Sequence, residues 1–100
     1  MWLCCRLRLL ATPGRLMHVL NETQLRLNTV QLIVYDEADR LFELGFAIQI
    51  REIQKRLAFE KQTLLFSATM PKNLAEFTSA SLKDPEVMPS LITFFPPSIY

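Results

Sequence analysis

The chain has 100 residues, half of them hydrophobic, which is enough for one small domain and too few for two. Its 11 basic and 10 acidic residues leave a net charge of +1, so no overall field attracts the chain to nucleic acid or to an anionic membrane. Any contact with a polyanion must therefore be local. The cysteines, Cys4 and Cys5, are adjacent and unsuited to bridging each other, and this usage indicates a reducing compartment.

The amino-terminal run is apolar and basic, as in a secretion signal, but Arg6 and Arg8 interrupt it and no small-residue cleavage site follows. No stretch approaches the roughly 18 apolar residues of a membrane-spanning helix. We therefore expect a soluble intracellular protein without a membrane partner, and a targeting role for the first residues is the minor alternative.

Alternating strand and helix patterns follow along the chain. Residues 7–11 form a short apolar run typical of a buried strand. Thr12 and Pro13 then suit the N-cap and the first position of a helix over residues 14–20. Residues 30–35 are β-branched and nearly all apolar, as in a strand covered on both faces, and carboxylates follow directly.

The second half of the chain continues the alternation. Apolar residues at spacings of three and four predict an amphipathic helix over residues 47–57, residues 63–66 predict a strand, and Pro71 opens a further helix. The side chains expected to be buried on these two helices are Ile50, Ile53, Leu57, Leu74, Phe77 and Leu82. Strands that alternate with helices predict an α/β fold with a parallel sheet, in which functional groups lie beyond the carboxyl ends of the strands.

Asp36, Glu37 and Asp39 form a cluster of carboxylates directly after the second predicted strand. Three carboxylates held together need a cation or a network of donors to offset their repulsion. Magnesium is usually bound by one or two carboxylates plus substrate phosphates, which leaves another carboxylate to orient or deprotonate a water. The alternative is that the three residues only cap the next helix and complement its dipole.

Three short motifs lie in order along the chain, each directly after a predicted strand: Thr12-Pro13-Gly14-Arg15, Asp36-Glu37-Ala38-Asp39 and Ser67-Ala68-Thr69. Together with residues 40–46 and 62–71, they resemble the DEAD-box RNA helicases. The resemblance covers residues 11–85 and implies part of the N-terminal RecA-like domain, with residues 1–10 and 86–100 as non-matching termini. The implied fold is α/β, an incomplete RecA-like parallel sheet with flanking helices, from a P-loop NTPase domain without its P-loop.

The resemblance implies a role for each motif. Asp36 would help to hold the magnesium ion of ATP through water, and Glu37 would position or activate the attacking water. Asp39 would bond to Ser67 or Thr69 and so connect hydrolysis with RNA handling. The cofactors of the full-length family are Mg²⁺ and ATP, and its macromolecular partner is RNA.

Residues 12–15 match the motif with which the family grips the RNA backbone. A helix N-terminus offers free amide groups and Arg15 adds a charged fork for a phosphate, so such a contact reads no base sequence. Two alternatives stay open. One is that residues 12–15 are only an ordinary helix start. The other is that Ser67 and Thr69 only cap the helix that begins at Pro71.

A phosphate-binding loop of the form G-x-x-x-x-G-K-[ST] needs two closely spaced glycines followed by lysine, and the chain has only Gly14 and Gly45. We therefore expect that the chain binds neither ATP nor Mg²⁺ tightly and is inactive by itself. The sequence predicts a fragment of an ATP-dependent RNA helicase. The alternatives are a catalytically dead RNA-binding or decoy module, and a truncated product without independent function.

The resemblance also bears on compartment and stability. Residues 39–46 resemble the nucleolar members of the family that act in ribosome assembly, which implies the nucleus or nucleolus. A parallel sheet without all of its strands leaves buried-type strands along an open edge. We therefore expect a chain that is marginally stable or partly molten and prone to aggregation.

Overall fold

A computed structural model describes residues 1–4 and 8–88 of the chain. Within these ranges the elements are, in chain order, β1 (Trp2–Cys4), β2 (Arg8–Leu10), α1 (Pro13–Glu22), β3 (Leu32–Tyr35), α2 (Ala38–Glu43), α3 (Ala47–Arg56), β4 (Gln62–Leu65) and α4 (Lys72–Ser81). Among the described residues, no helix combines the length and the apolar character needed to cross a bilayer. The predicted non-matching carboxyl terminus lies outside the described residues from residue 89 onward.

The strands form one sheet in the order β2-β1-β3-β4. β3 and β4 pair in parallel, from Leu32 opposite Gln62 to Tyr35 opposite Leu65, whereas β1 is antiparallel to both of its neighbours. β2, β3 and β4 therefore point the same way, and their carboxyl ends share one edge of the sheet, which we call the site edge. The predicted α/β class is confirmed.

The sequence did not predict β1. The connection between β1 and β2 comprises residues 5–7, which is too short for a crossover to a parallel strand, so the two strands pair antiparallel. β1 then lies between β2 and β3. The three predicted strands share one direction, as expected, and the sheet gains one reversed strand among them.

The helices begin and bury their apolar side chains largely where the sequence predicts. Thr12 is the N-cap of α1, with its Oγ1 accepting the Arg15 N–H at 3.4 Å, and Pro13 is the first helical residue. The expected core residues that the structure buries are Ile50, Ile53, Leu57, Leu74 and Phe77. Leu82 is only half-buried, because α4 ends at Ser81.

The core joins the sheet to two pairs of helices, α1 with α3 and α2 with α4. On the second pair, the Phe77 ring meets the Phe42 ring at a centroid distance of 5.2 Å and the Tyr35 ring edge-on at 5.5 Å. Tyr35 is among the largest fully buried side chains. The end of β3 is therefore held by aromatic packing directly beneath the carboxylates that follow it.

β4 forms one border of the sheet in the described residues. The N–H groups of Gln62 and Phe66 donate to the carbonyls of Gln31 and Tyr35, both at 2.8 Å. Because backbone direction alternates along a strand, the N–H of Thr63 points away from β3, toward the open side. The outer edge of β4 thus carries unpaired backbone groups, to which a strand of a second chain could add.

Thr63→Pro should reduce self-association, because proline removes an N–H on the open side and obstructs the approach of another strand. We expect little change in the thermal unfolding midpoint and a lower weight-average mass in sedimentation at high concentration. The matched control is Leu64→Pro, whose lost N–H faces β3, and it should cost at least about 1 kcal/mol of stability. Self-association that is unaffected by Thr63→Pro would show that the chains do not associate through the open edge of β4.

Candidate functional site

The three sequence motifs all lie at the site edge. β2 leads through Ala11 to Thr12, β3 leads directly to Asp36, and β4 leads through Phe66 to Ser67. This placement follows from the shared direction of β2, β3 and β4, since parallel strands end at the same side of a sheet.

Tyr35 anchors the end of β3. Its side chain is 1% exposed, and its hydroxyl donates a hydrogen bond to Oε1 of Gln54 on α3 at 2.6 Å. Burial raises the pKa of the Tyr35 phenol, so the group stays a neutral donor at physiological pH. The next residue, Asp36, is exposed, so the chain passes from the core to solvent within one residue.

The turn after β3 is strained at Glu37. Its φ of 50° and ψ of 50° place it in the left-handed region, which costs a non-glycine residue about 1 kcal/mol or more. The Glu37 N–H donates to Oδ1 of Asp36 at 2.9 Å, and the Ala38 N–H donates to the Phe66 carbonyl at 2.9 Å. This turn therefore ties the start of α2 to the end of β4.

Asp39 joins the second motif to the third. Thr69 donates from its hydroxyl to Oδ2 of Asp39 at 2.9 Å, and the Asp39 N–H donates to Oγ of Ser67 at 3.1 Å. The Ser67 hydroxyl in turn donates to the Thr69 carbonyl at 2.6 Å, and the Arg40 N–H donates to Oδ1 of Asp39 at 2.9 Å. We call Asp39, Ser67 and Thr69 the linking network.

The linking network controls the ionisation of Asp39. Partial burial acts to raise the pKa of this carboxyl, but hydrogen bonds from the Thr69 hydroxyl and the Arg40 N–H outweigh burial and hold the pKa below its ordinary value. The charged form is therefore the one that the fold stabilises.

The capping alternatives can be compared with this geometry. Glu37 occupies the N-cap position of α2 but makes no side-chain capping bond, and the bonds of Asp39 go to Arg40 and Thr69. Pro71 occupies the N-cap position of α4, and no side chain makes a capping hydrogen bond to that helix start. For the second and third motifs, helix capping therefore accounts only for the contact of Asp39 with the Arg40 N–H. For the first motif, Thr12 does act as an ordinary cap of α1.

The exposed carboxylates suit a metal site whose other ligands come from a bound phosphate compound, and not a site built by the protein alone. In the described ranges, no three acidic, histidine or cysteine side chains converge as metal ligands. Asp36 uses Oδ1 for the Glu37 N–H, and among the described residues no donor bonds to its Oδ2. Such a carboxylate fits Mg²⁺ held through water, since this ion keeps several waters and takes its other ligands from phosphates.

Residues 12–15 present a separate surface at the same edge. Arg15 is exposed, and the carbonyl of Thr12 accepts the Leu16 N–H at 2.9 Å. Gly14 lies against the ring of Phe46, so that an added Cβ would be 3.3 Å from Cε1 of that ring. No hydrogen bond or ion pair of the described residues joins residues 12–15 to the carboxylates.

Sequence reasoning missed two contacts and one charge interaction at the site edge. It did not identify the Tyr35–Gln54 hydrogen bond or the approach of Phe46 to Gly14. It also missed Met1, which β1 brings near Asp36: burial lowers the pKa of the Met1 amino group, and the charge of Asp36 opposes this effect. The sequence held a signal for one of them, the position of Phe46: the preceding residue, Gly45, stands where a glycine often ends a helix.

A model of the DEAD/DEAH box helicase family matches residues 7–77, the part of the chain that contains all three motifs. The chain belongs to this family. It is similar to the ATP-dependent RNA helicase DBP10 of Phaeosphaeria nodorum, with 55% identity over 80 residues, and to DDX54 of Mus musculus, with 57% identity over 77 residues. These matches cover 80% and 77% of the chain but only 9% of each relative. The chain thus spans less than a tenth of these curated relatives.

Solved structures show the same fold. A hypothetical ATP-dependent RNA helicase from Sulfolobus tokodaii matches 76% of this chain and 23% of its own, with a TM-score of 0.71 and 34% identity. The yeast DEAD-box splicing factor Prp28 matches 71% of this chain and 17% of its own, with a TM-score of 0.66 and 31% identity. The predicted DEAD-box family and RecA-like fold are confirmed.

Thr69→Val should raise the pKa of Asp39, because it removes the donor that contacts Oδ2. A depressed folded pKa stabilises the fold above the ordinary value of about 3.9, and this stabilisation is lost as the pH falls through the folded pKa. The variant should therefore be less stable than the original chain at neutral pH, with the difference shrinking in acid. NMR titration of the carboxyl and thermal unfolding at pH 7 and pH 3 measure both effects.

Thr69→Ser is the control, since it keeps the hydroxyl and should keep most of the pKa depression. If the Asp39 titration is the same with Thr69→Val as in the original chain, the linking network does not set the ionisation of Asp39.

Proposed function

We propose that this chain is a portion of an ATP-dependent RNA helicase that carries two catalytic carboxylates and one contact for the RNA backbone. The observation that carries this proposal is the linking network, which joins the ends of β3 and β4 beside the exposed Asp36 and Glu37. Two of the similar proteins bear the name ATP-dependent RNA helicase, which supports the assignment of the same reaction. We assign the partial N-terminal RecA-like domain to residues 11–85.

The two exposed carboxylates have different proposed tasks. Asp36 would hold Mg²⁺ through water, and Glu37 would orient or deprotonate the attacking water. Mg²⁺, when bound, supplies positive charge to neutralise the phosphates. The left-handed backbone of Glu37 supports this division, because it places consecutive carboxylates in a turn that Asp36 itself stabilises.

The linking network is proposed to couple the two activities. Asp39 lies on the first turn of α2, so a displacement of Ser67 or Thr69 would be transmitted to the turn that carries Glu37. This role relies on hydrogen bonds of 2.9 and 3.1 Å, which are short enough to be sensitive to small shifts.

We expect the isolated chain to bind neither ATP nor Mg²⁺ tightly and to hydrolyse no ATP, because its 100 residues contain no G-x-x-x-x-G-K-[ST] loop. The measurement is Mg²⁺-dependent phosphate release with and without single-stranded RNA. Glu37→Gln is the matched control, since it preserves shape and removes the charge. Phosphate release that Glu37→Gln abolishes would contradict the expected inactivity and would support Glu37 as the catalytic base.

A second function, an RNA-binding or decoy module without catalysis, is favoured by one observation. Arg15 is exposed on the first turn of α1, and the Gly14 N–H of that turn is not used by the Thr12 cap, which takes the Arg15 N–H. Both are suited to a phosphate, and neither depends on the missing loop. The contact would read the backbone of RNA and no bases.

Arg15→Ala should weaken binding of a labelled uridine oligomer by about threefold and reduce the salt slope by about 1, as expected for the loss of one phosphate contact. Fluorescence anisotropy over a range of salt concentrations measures both effects. Arg26→Ala is the control, because Arg26 is also an exposed arginine and lies in the segment before β3, at the opposite end of the sheet. Equal losses from both variants would indicate general charge attraction, and no binding at low salt would favour a product without independent function.

We also propose that the intact protein acts in the nucleolus in ribosome assembly. The support is the similarity of residues 39–46 to that group of the family, together with the identities to DBP10 and DDX54.

A further inference from the structure

Gly45 ends α2 with two hydrogen bonds that reverse the chain. Its own N–H donates to the Phe42 carbonyl at 3.2 Å, and the Phe46 N–H donates to the Leu41 carbonyl at 3.1 Å. With a φ of +87° at Gly45, this is the Schellman pattern of a helix end. The pattern sets the direction in which Phe46 leaves α2.

Phe46 is also held from the other side, because it forms the N-cap position of α3. Its carbonyl accepts the Ile50 N–H at 2.9 Å, and Ile50 is fully buried. The backbone of Phe46 is therefore bonded to the end of one helix and to the start of the next. The point from which its ring projects is thus fixed relative to α2 and α3, and the partly buried side chain packs against the core.

The ring of Phe46 occupies the space where a side chain at position 14 would lie. A Cβ on Gly14 would be 3.3 Å from Cε1 and 4.0 Å from Cδ1 of the ring. The first contact is closer than most carbon contacts, so the ring or the helix would have to shift. Close approach therefore explains the glycine in the first motif, since Gly14 is not in the left-handed region.

We infer that Phe46 is a positioning residue that connects the first turn of α1 to α2. Through this contact, the backbone-binding residues 12–15 and the linking network, which includes Asp39 on α2, are held in one arrangement. As far as RNA is concerned, the inference rests on the proposed function. The contact between Phe46 and Gly14 stands without it.

A double-variant cycle tests the contact. Gly14→Ala alone should lower the thermal unfolding midpoint, because the added methyl group meets the ring. In the Phe46→Ala background the same change should raise the midpoint, because alanine favours a helix more than glycine does. Additive effects of the two substitutions would overturn the inference. If Phe46→Ala does not fold, Phe46→Leu provides the background.

Local amide exchange separates positioning from general loss of packing. Phe46→Ala should accelerate exchange at Arg15 and Leu16 by about fivefold more than at Ala75 in the first turn of α4, as expected for a local opening. Phe46→Leu should restore part of the protection. Phe42→Leu is the matched control, because the Phe42 ring contacts Phe77 of α4. Phe42→Leu should accelerate amide exchange at Ala75 at least as much as at Leu16. Uniform acceleration in Phe46→Ala would overturn the inference.

RNA affinity distinguishes failure of this inference from failure of the proposed function. We expect Phe46→Ala to weaken binding of the labelled uridine oligomer by about twofold to threefold, approaching the effect of Arg15→Ala, and Phe46→Leu to restore part of the affinity. A loss with Arg15→Ala and none with Phe46→Ala would overturn the role of Phe46 alone. If the original chain binds no RNA, the RNA-binding function fails, and the thermal cycle and the exchange rates still decide the positioning role.

Discussion

The hydrogen bond from Thr69 to Oδ2 of Asp39 connects two segments that the sheet alone would leave separate. β3 and β4 are paired only along their lengths, and the chain beyond each strand is irregular. The contact from the Ala38 N–H to the Phe66 carbonyl extends that pairing, and the linking network then closes it. The bonds lower the pKa of Asp39 and so favour its charged form, which in turn is the stronger acceptor for those donors.

Asp36 and Glu37 differ from Asp39 in how their charges are used. Asp39 has its oxygens occupied by donors of the protein, whereas Asp36 and Glu37 are exposed and lie in a turn that costs conformational energy. Strain of this kind persists where neighbouring contacts impose it, and here the buried Tyr35 and Ala38 flank the two residues. The site thus divides into a bonded part that maintains the geometry and a hydrated part that is open to a ligand.

The sequence predicted the elements whose signals are local. The cap at Thr12, the strand before Asp36 and the apolar spacing of α3 each depend on neighbours within one or two turns. β1 could not be predicted, because its three residues, which end in the first of the two cysteines, are too few to show a strand period, and the pairing with β2 and β3 is visible only in the fold. The contact of Phe46 with Gly14 was equally hidden, since it joins residues 32 positions apart through a helix end. In the motifs, residue types indicated the chemistry, and only the fold shows which atoms meet.

The hydrogen bonds of the linking network join protein atoms to protein atoms, whereas a magnesium site at Asp36 would need ligands from outside the chain. Mg²⁺ is bound weakly by one or two carboxylates unless phosphate oxygens complete its shell. The positions of Asp36 and Glu37 are therefore set by the fold, whereas their chemistry depends on a ligand that brings its own phosphates. The proposed RNA contact would have no such requirement, because the Arg15 guanidinium is a complete donor by itself. The fold thus positions both proposed sites, and only the proposed phosphate contact at Arg15 would need no further ligand.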